Sequence, residues 1–186
     1  AKLASRVIGI YNEIGILTCG KHFPGLGDAA IDPHVDIPID NTDAERYDKF
    51  KLIPFVQAIN FNVPMIMTTH VIAKALDDKI ITFSEKAVSG ILRDKLGFNG
   101  LILTDDLEMG AIEQHYDWED TVIQPLYAGH HQLLICHDKD KQLEAIDIIT
   151  RRVSKDDDFA KKVEIAIEKV ISFKQRHFKR IEGLAS

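Results

Sequence analysis

Apolar and polar positions follow two rhythms along the chain. Four short runs, residues 16–19, 63–68, 101–104 and 132–136, are continuously apolar or nearly so and carry β-branched or bulky side chains. Their length and composition predict buried strands. Between and after them the apolar residues recur every three or four positions, the period of an amphipathic helix. Helices are predicted over residues 2–13, 46–60, 84–96, 119–128, 141–153 and 158–178. Thr42 and Glu45 have the spacing of a capping box ahead of the second helix, and Gly97 and Gly129 stand where the third and fourth should stop. The order is one helix, four strand–helix units and a closing helix. Such alternation predicts an α/β fold with a parallel sheet and helical crossovers. The charged run 155–158 reads as a solvated turn.

Ionisable residues recur where these strands end. Lys21 and His22 follow the first run, His70 the second, Asp105 and Asp106 the third, and His137 and Asp138 the fourth. In parallel α/β folds the loops converge at the C-terminal rim of the sheet, where binding and catalytic groups are built. Any one of these groups could simply cap a turn; four in register point to a shared site. The loop "GLGDAAIDPHVDIP" adds Asp32 and His34. Pro33 biases Asp32 towards extended backbone, and residues two apart then project to one side. Asp32 can thus hold one ring nitrogen of His34 and raise its basicity, a proton-transfer device; a plain surface pair is the alternative. Asp105 could act as a nucleophile or electrostatic stabiliser. Asp106 could organise the turn by accepting backbone N–H groups. Met109 could wall a pocket or fill the core.

Composition narrows the classes. The chain is 45% hydrophobic and 28% charged, as expected of a folded globular domain. A net charge of −6 gives no electrostatic footprint for nucleic acid. No apolar run approaches the ~20 residues of a membrane span. Cys19 and Cys136 fall in strand-like runs and are expected as buried free thiols. That favours a reducing, cytoplasmic compartment, with export left open because the chain starts at Ala1 within a helical pattern.

"KHFPGLGDAAIDPHVDIP", "VPMIMTTHVIAKALD" and "SEKAVSGILRDKLGFNGLILTDDLEMGAI", followed by "AGHHQLLICHD", closely resemble the ordered motifs of glycoside hydrolase family 3 in its bacterial β-N-acetylglucosaminidase branch. The resemblance covers about residues 5–175. It implies a (β/α)8 barrel of the TIM type and a retaining glycosidase with a covalent glycosyl-enzyme intermediate. Asp105 matches the family nucleophile. His34 matches the acid/base, oriented by Asp32. Lys21 and His22 match sugar-hydroxyl binders, with His70 and Met109 as weaker pocket candidates. The implied substrate carries a terminal β-linked N-acetylglucosamine, as in cell-wall muropeptide fragments; water or phosphate could be the acceptor in the second step. No cofactor or metal is implied.

Four departures stand out. Pro33 replaces a usual Ser, and Leu26 a common His. Gly129–His130–His131 replaces the usual Gly-Ala-Asp, expected as a surface change. Lastly, a barrel needs eight strands and only four strand–helix units are present. No G-R-x-F motif of the family's first half occurs. Residues 1–186 are therefore expected to be the C-terminal part of a barrel domain whose N-terminal half lies outside this chain. The missing half, or a second copy, would be its partner. Two other readings use the same residues. His22, Asp32, His34, His70, Asp105 and His137 are ligand types for a metal-dependent hydrolase, although no H-E-x-x-H occurs. A truncated homologue could also bind sugar or a partner without turnover.

Overall fold

A computed structural model of the chain describes residues 2–26 and 36–184, with side chains as far as His177. It opens with helix α1 (Lys2–Glu13), which ends at a turn with Gly15 at φ 79°. The main sheet has four parallel strands, β1 (Cys19–Phe23), β3 (Met65–Thr68), β5 (Leu101–Asp106) and β6 (Gln132–Leu134), in the order β1-β3-β5-β6. Each strand lies beside the one before it. That is the winding of a TIM-type barrel, whereas a doubly wound sheet reverses direction at a switch point.

Register explains the layers. Ile66 pairs with Ile102, and Gly20 with Ile66, so these positions share the face turned to the helices. Ile66 and Ile102 are fully buried there with Ile8, Phe55, Leu92 and Phe98. Met65 pairs with Cys19 and Leu101, and Met67 with Leu103, on the opposite face. Met65 and Met67 remain half-exposed on that face. A second apolar cluster, with Val122, Ile123, Leu126, Ala145, Ile148 and Phe159, lies under β6 between helices α5 (Trp118–Ala128), α6 (Lys139–Val153) and α7 (Asp157–Leu184). Asp117 caps α5 by accepting from Asp120 N at 2.8 Å, and Gly129, at φ 110°, closes it in the left-handed region that a side chain resists. Asp138 caps α6 through Asp140 N at 2.8 Å.

Several expectations shift. The first strand is Cys19–Phe23 rather than 16–19; Ile16 and Leu17 are exposed, and Lys21 and His22 lie on the strand itself, joined by a cis peptide bond. A short parallel pair, β2 (Ile39–Asp40) with β4 (Ile72–Ala73), was not predicted. The expected capping box at Thr42 and Glu45 is replaced. Asp43 caps α2 (Ala44–Arg46) by accepting from Arg46 N at 2.8 Å, and Glu45 pairs with Lys49. Thr42 is drawn away because buried Asp40 needs donors, which it finds in Thr42 N (3.0 Å), Thr42 Oγ1 (2.6 Å), Tyr47 Oη (2.5 Å) and Lys51 Nζ (2.5 Å). The next turn, Tyr47–Lys51, is a wide π-type turn leading into α3 (Ile53–Asn60), and Lys86–Lys95 is wound in the same way. β6 stops at Leu134, so Cys136 is exposed and not a buried thiol. Cys19 is half-buried, and burial pushes its thiol up to about 11.

Candidate active site

The predicted rim groups do converge. His22, from β1, places Nε2 3.4 Å from Asp105 Oδ2, from β5. The strands are separated by β3, and strands two apart lie ~9.5 Å from each other in a flat sheet. The contact over the intervening strand brings both side chains to the same side of the sheet. Both are largely shielded, with 28% and 19% of their side chains exposed.

The backbone around Asp105 is held from several sides. Asp105 Oδ1 accepts from Asp106 N at 3.0 Å. Asp106 Oδ1 accepts from Glu108 N at 3.2 Å and Cys136 N at 3.3 Å, and its Oδ2 lies 3.2 Å from His137 Nε2. Asp106 therefore does organise the turn, and also ties the end of β5 to the loop after β6. Glu108, which sequence reasoning passed over, accepts from His137 N (2.6 Å) and Asp138 N (2.9 Å). Burial would raise its carboxyl, but the hydrogen bonds from His137, Asp138 and Cys136 outweigh it and hold it below the usual range. The only signal for it was an acid two residues past the Asp pair.

His70 is fully buried after β3, with Nδ1 2.7 Å from Thr82 Oγ1 and Nε2 2.9 Å from the Asp106 carbonyl oxygen. Burial pushes its imidazolium form out. It presents no surface to a sugar, which corrects its expected role as a pocket contact. Thr82, on the turn Ile81–Phe83, was also missed. Met109 is 8% exposed and starts α4 (Gly110–Glu113), with its carbonyl accepting from Ile112 N and Glu113 N; it packs as core at the edge of the site. Lys21 is exposed on the sheet's edge strand. Asp32 and His34 lie outside the described residues. After the undescribed residues, Asp36 Oδ1 meets His115 Nε2 at 2.6 Å, and Ile37 packs against the cluster of Ile80, Phe83 and Ile112. Among the described residues, no group of three or more His, Cys, Asp or Glu side chains is arranged to hold a metal ion.

His130 and His131 are not surface residues. His130 is buried, with Nδ1 3.0 Å from the Pro125 carbonyl oxygen and Nε2 2.9 Å from Thr68 Oγ1. His131 is half-buried, and its Nδ1 accepts from Ile102 N at 2.9 Å.

The family model for the glycosyl hydrolase family 3 N terminal domain matches residues 1–173. The chain belongs to glycosyl hydrolase family 3. It is 37% identical over 146 residues to a beta-hexosaminidase of Nitrosomonas eutropha, covering 78% of this chain and 42% of that protein. It is also 37% identical over 147 residues to one of Idiomarina loihiensis, covering 79% and 44%. The family 3 chain thus spans less than half the length of these curated relatives. Among solved structures it superimposes on the family 3 beta-N-acetylglucosaminidase of Paenibacillus sp. with a TM-score of 0.86, at 28% identity, covering 98% of this chain and 34% of that one. The beta-N-acetylglucosaminidase of Thermotoga maritima gives 0.82 at 29% identity, covering 91% and 37%.

Proposed function

We propose that this chain is the C-terminal part of a family 3 barrel that removes terminal β-linked N-acetylglucosamine with retention of configuration. The observation that carries the reading is the His22–Asp105 contact over β3: a carboxylate and a sugar-binding type of side chain brought together at the rim. Asp105 attacks the anomeric carbon, its lone pair forming the glycosyl–carboxylate bond as the bond to the leaving oxygen breaks. His34, oriented by Asp32, gives that oxygen a proton, then takes one from water as the ester is cleaved. His22 and Lys21 hold sugar hydroxyls. Cell-wall muropeptide fragments fit as substrates, and the cytoplasm as the place of action.

The other half of the barrel supplies the remaining strands. β1 and β6 end the sheet, and apolar side chains flank both edges: Leu3, Ile10 and Ile14 on and after α1, and Leu143, Ile146 and Ile167 on α6 and α7, all exposed. Chromogenic and unactivated β-N-acetylglucosaminides test the reading in the complete polypeptide. Asp105→Ala should lower kcat by at least about a thousandfold while the protein stays folded. His34→Ala should slow unactivated substrates far more than aryl glycosides, with partial rescue by azide. An Asp105→Ala enzyme retaining more than about a tenth of the wild-type rate refutes it, since a nucleophile cannot be removed so cheaply.

A further inference from the structure

The Asp106 carbonyl oxygen can only accept a hydrogen bond, so the His70 Nε2 2.9 Å away must carry the proton. His70 Nδ1 is then an acceptor, and the Thr82 hydroxyl 2.7 Å away donates to it. The same hydroxyl is 3.3 Å from the Thr69 carbonyl oxygen, a longer and weaker alternative. A neutral ring with one defined tautomer results, fully buried and unable to swing without abandoning two partners.

What that ring grips is the peptide between Asp106 and Leu107, one unit beyond Asp105. Three contacts fix the segment: Asp106 N donates to Asp105 Oδ1 at 3.0 Å, His70 holds the Asp106 carbonyl, and Leu107 N donates to Leu134 O at 2.9 Å. The first of these sets the Asp105 carboxylate through the Asp106 amide. Asp106 is thus the link between a buried histidine on β3's loop and the carboxylate facing His22. We propose that His70 is a positioning residue for the nucleophile: through Thr82 on one side and the Asp106 carbonyl on the other, it fixes the carboxylate of Asp105 in the attack direction. The inference rests on Asp105 being the nucleophile. It gives His70 a part in the reaction without contact to the sugar.

Two measurements test it. In the complete polypeptide, long-range nitrogen–proton NMR correlations of the His70 ring at about neutral pH should show a neutral imidazole protonated on Nε2. An Nδ1–H tautomer or an imidazolium would overturn the proposal. In the complete polypeptide, His70→Leu should lower kcat about a hundredfold with KM nearly unchanged, the pattern of a misplaced reacting group. His70→Gln, whose amide N–H can reach the same carbonyl, should recover about tenfold of that loss. Equal kcat losses in the two variants, or a His70→Leu enzyme with wild-type kcat, would leave His70 a packing residue only. If His70→Leu does not fold, Thr82→Val probes the same contacts: a kcat loss at constant KM supports the role, and an unchanged kcat refutes it. Asp105→Asn in the same assay separates the two failures. If it turns over normally, the nucleophile assignment falls while the His70 tautomer stands.

Discussion

His130 stands where the family motif usually has alanine, and its surroundings decide its charge. Its Nδ1–H donates to the Pro125 carbonyl and its Nε2 accepts from the Thr68 hydroxyl. Burial holds its pKa down to about 3. Burial, and then the charges of Arg93 and Lys169, hold His131 down to about 4. An unfolded chain titrates histidine near ~6.5. Below that pH the unfolded chain binds protons that the native one refuses, so stability falls with pH and the full penalty is reached below both folded values. His70 acts in the same direction. Asp40 adds a second acid-sensitive term. Burial opposes its ionisation, but Lys51, Thr42 and Tyr47 overcome that and bring it to about 2. Its contribution is complete above the normal carboxylate pKa and disappears as pH falls through about 2. Urea midpoints should therefore drop steadily from about pH 7 to pH 4, and a His130→Asn, His131→Gln double variant should show a shallower slope. An identical slope in that variant would show that other groups set the acid response.

At the scale of elements, the tightest joint is the entry to β5. A Cβ on Gly100 would sit 2.2 Å from the Pro64 carbonyl oxygen and 2.5 Å from the Phe98 ring, so β3 and β5 can start side by side only if position 100 lacks a side chain. Gly100→Ala should cost about 1–3 kcal/mol, and a thermal melt would read it as about 2–4 °C per kcal/mol in a chain of this size. An unchanged melting temperature would mean that the joint can relax. The helices and strand cores were legible because amphipathic period and apolar runs report burial, which is what holds α1, α5 and β5 in place. Strand ends were less so. Lys21, His22, Asp105 and Asp106 lie within strands because ladder pairing extends past the apolar run, and polar side chains can finish a strand that faces a cleft. The wide turns at Tyr47–Lys51 and Lys86–Lys95 leave no mark in a period of 3.6. The site was legible as residue types in register along the chain. The contacts that orient it, from His70, Thr82 and Glu108, depend on distances between segments that no local pattern encodes.

For the whole molecule, β1 and β6 end the four-stranded sheet, each paired on one side only among the described residues. In the barrel proposed above, the half-exposed Met65 and Met67 on the sheet's second face, with the apolar flanks of α1, α6 and α7, would bury against further strands. The isolated chain should therefore associate or exchange rapidly at β1 and β6, and multi-angle light scattering with hydrogen exchange would measure both. A compact monomer with all four strands protected would show that closure is unnecessary.

The direction of the strands makes those two edges complementary to each other. β6 on one side and β1 on the other run parallel, so β6 of one copy can pair with β1 of the next. Two copies joined in this way at both seams would close eight strands into a ring and leave no edge. If the tilt at the seam does not close after two copies, the same contact repeats without end and winds into a filament. A sheet that opens at both sides in the same sense therefore carries a choice between a finite assembly and a polymer. The geometry of a single seam settles which one forms.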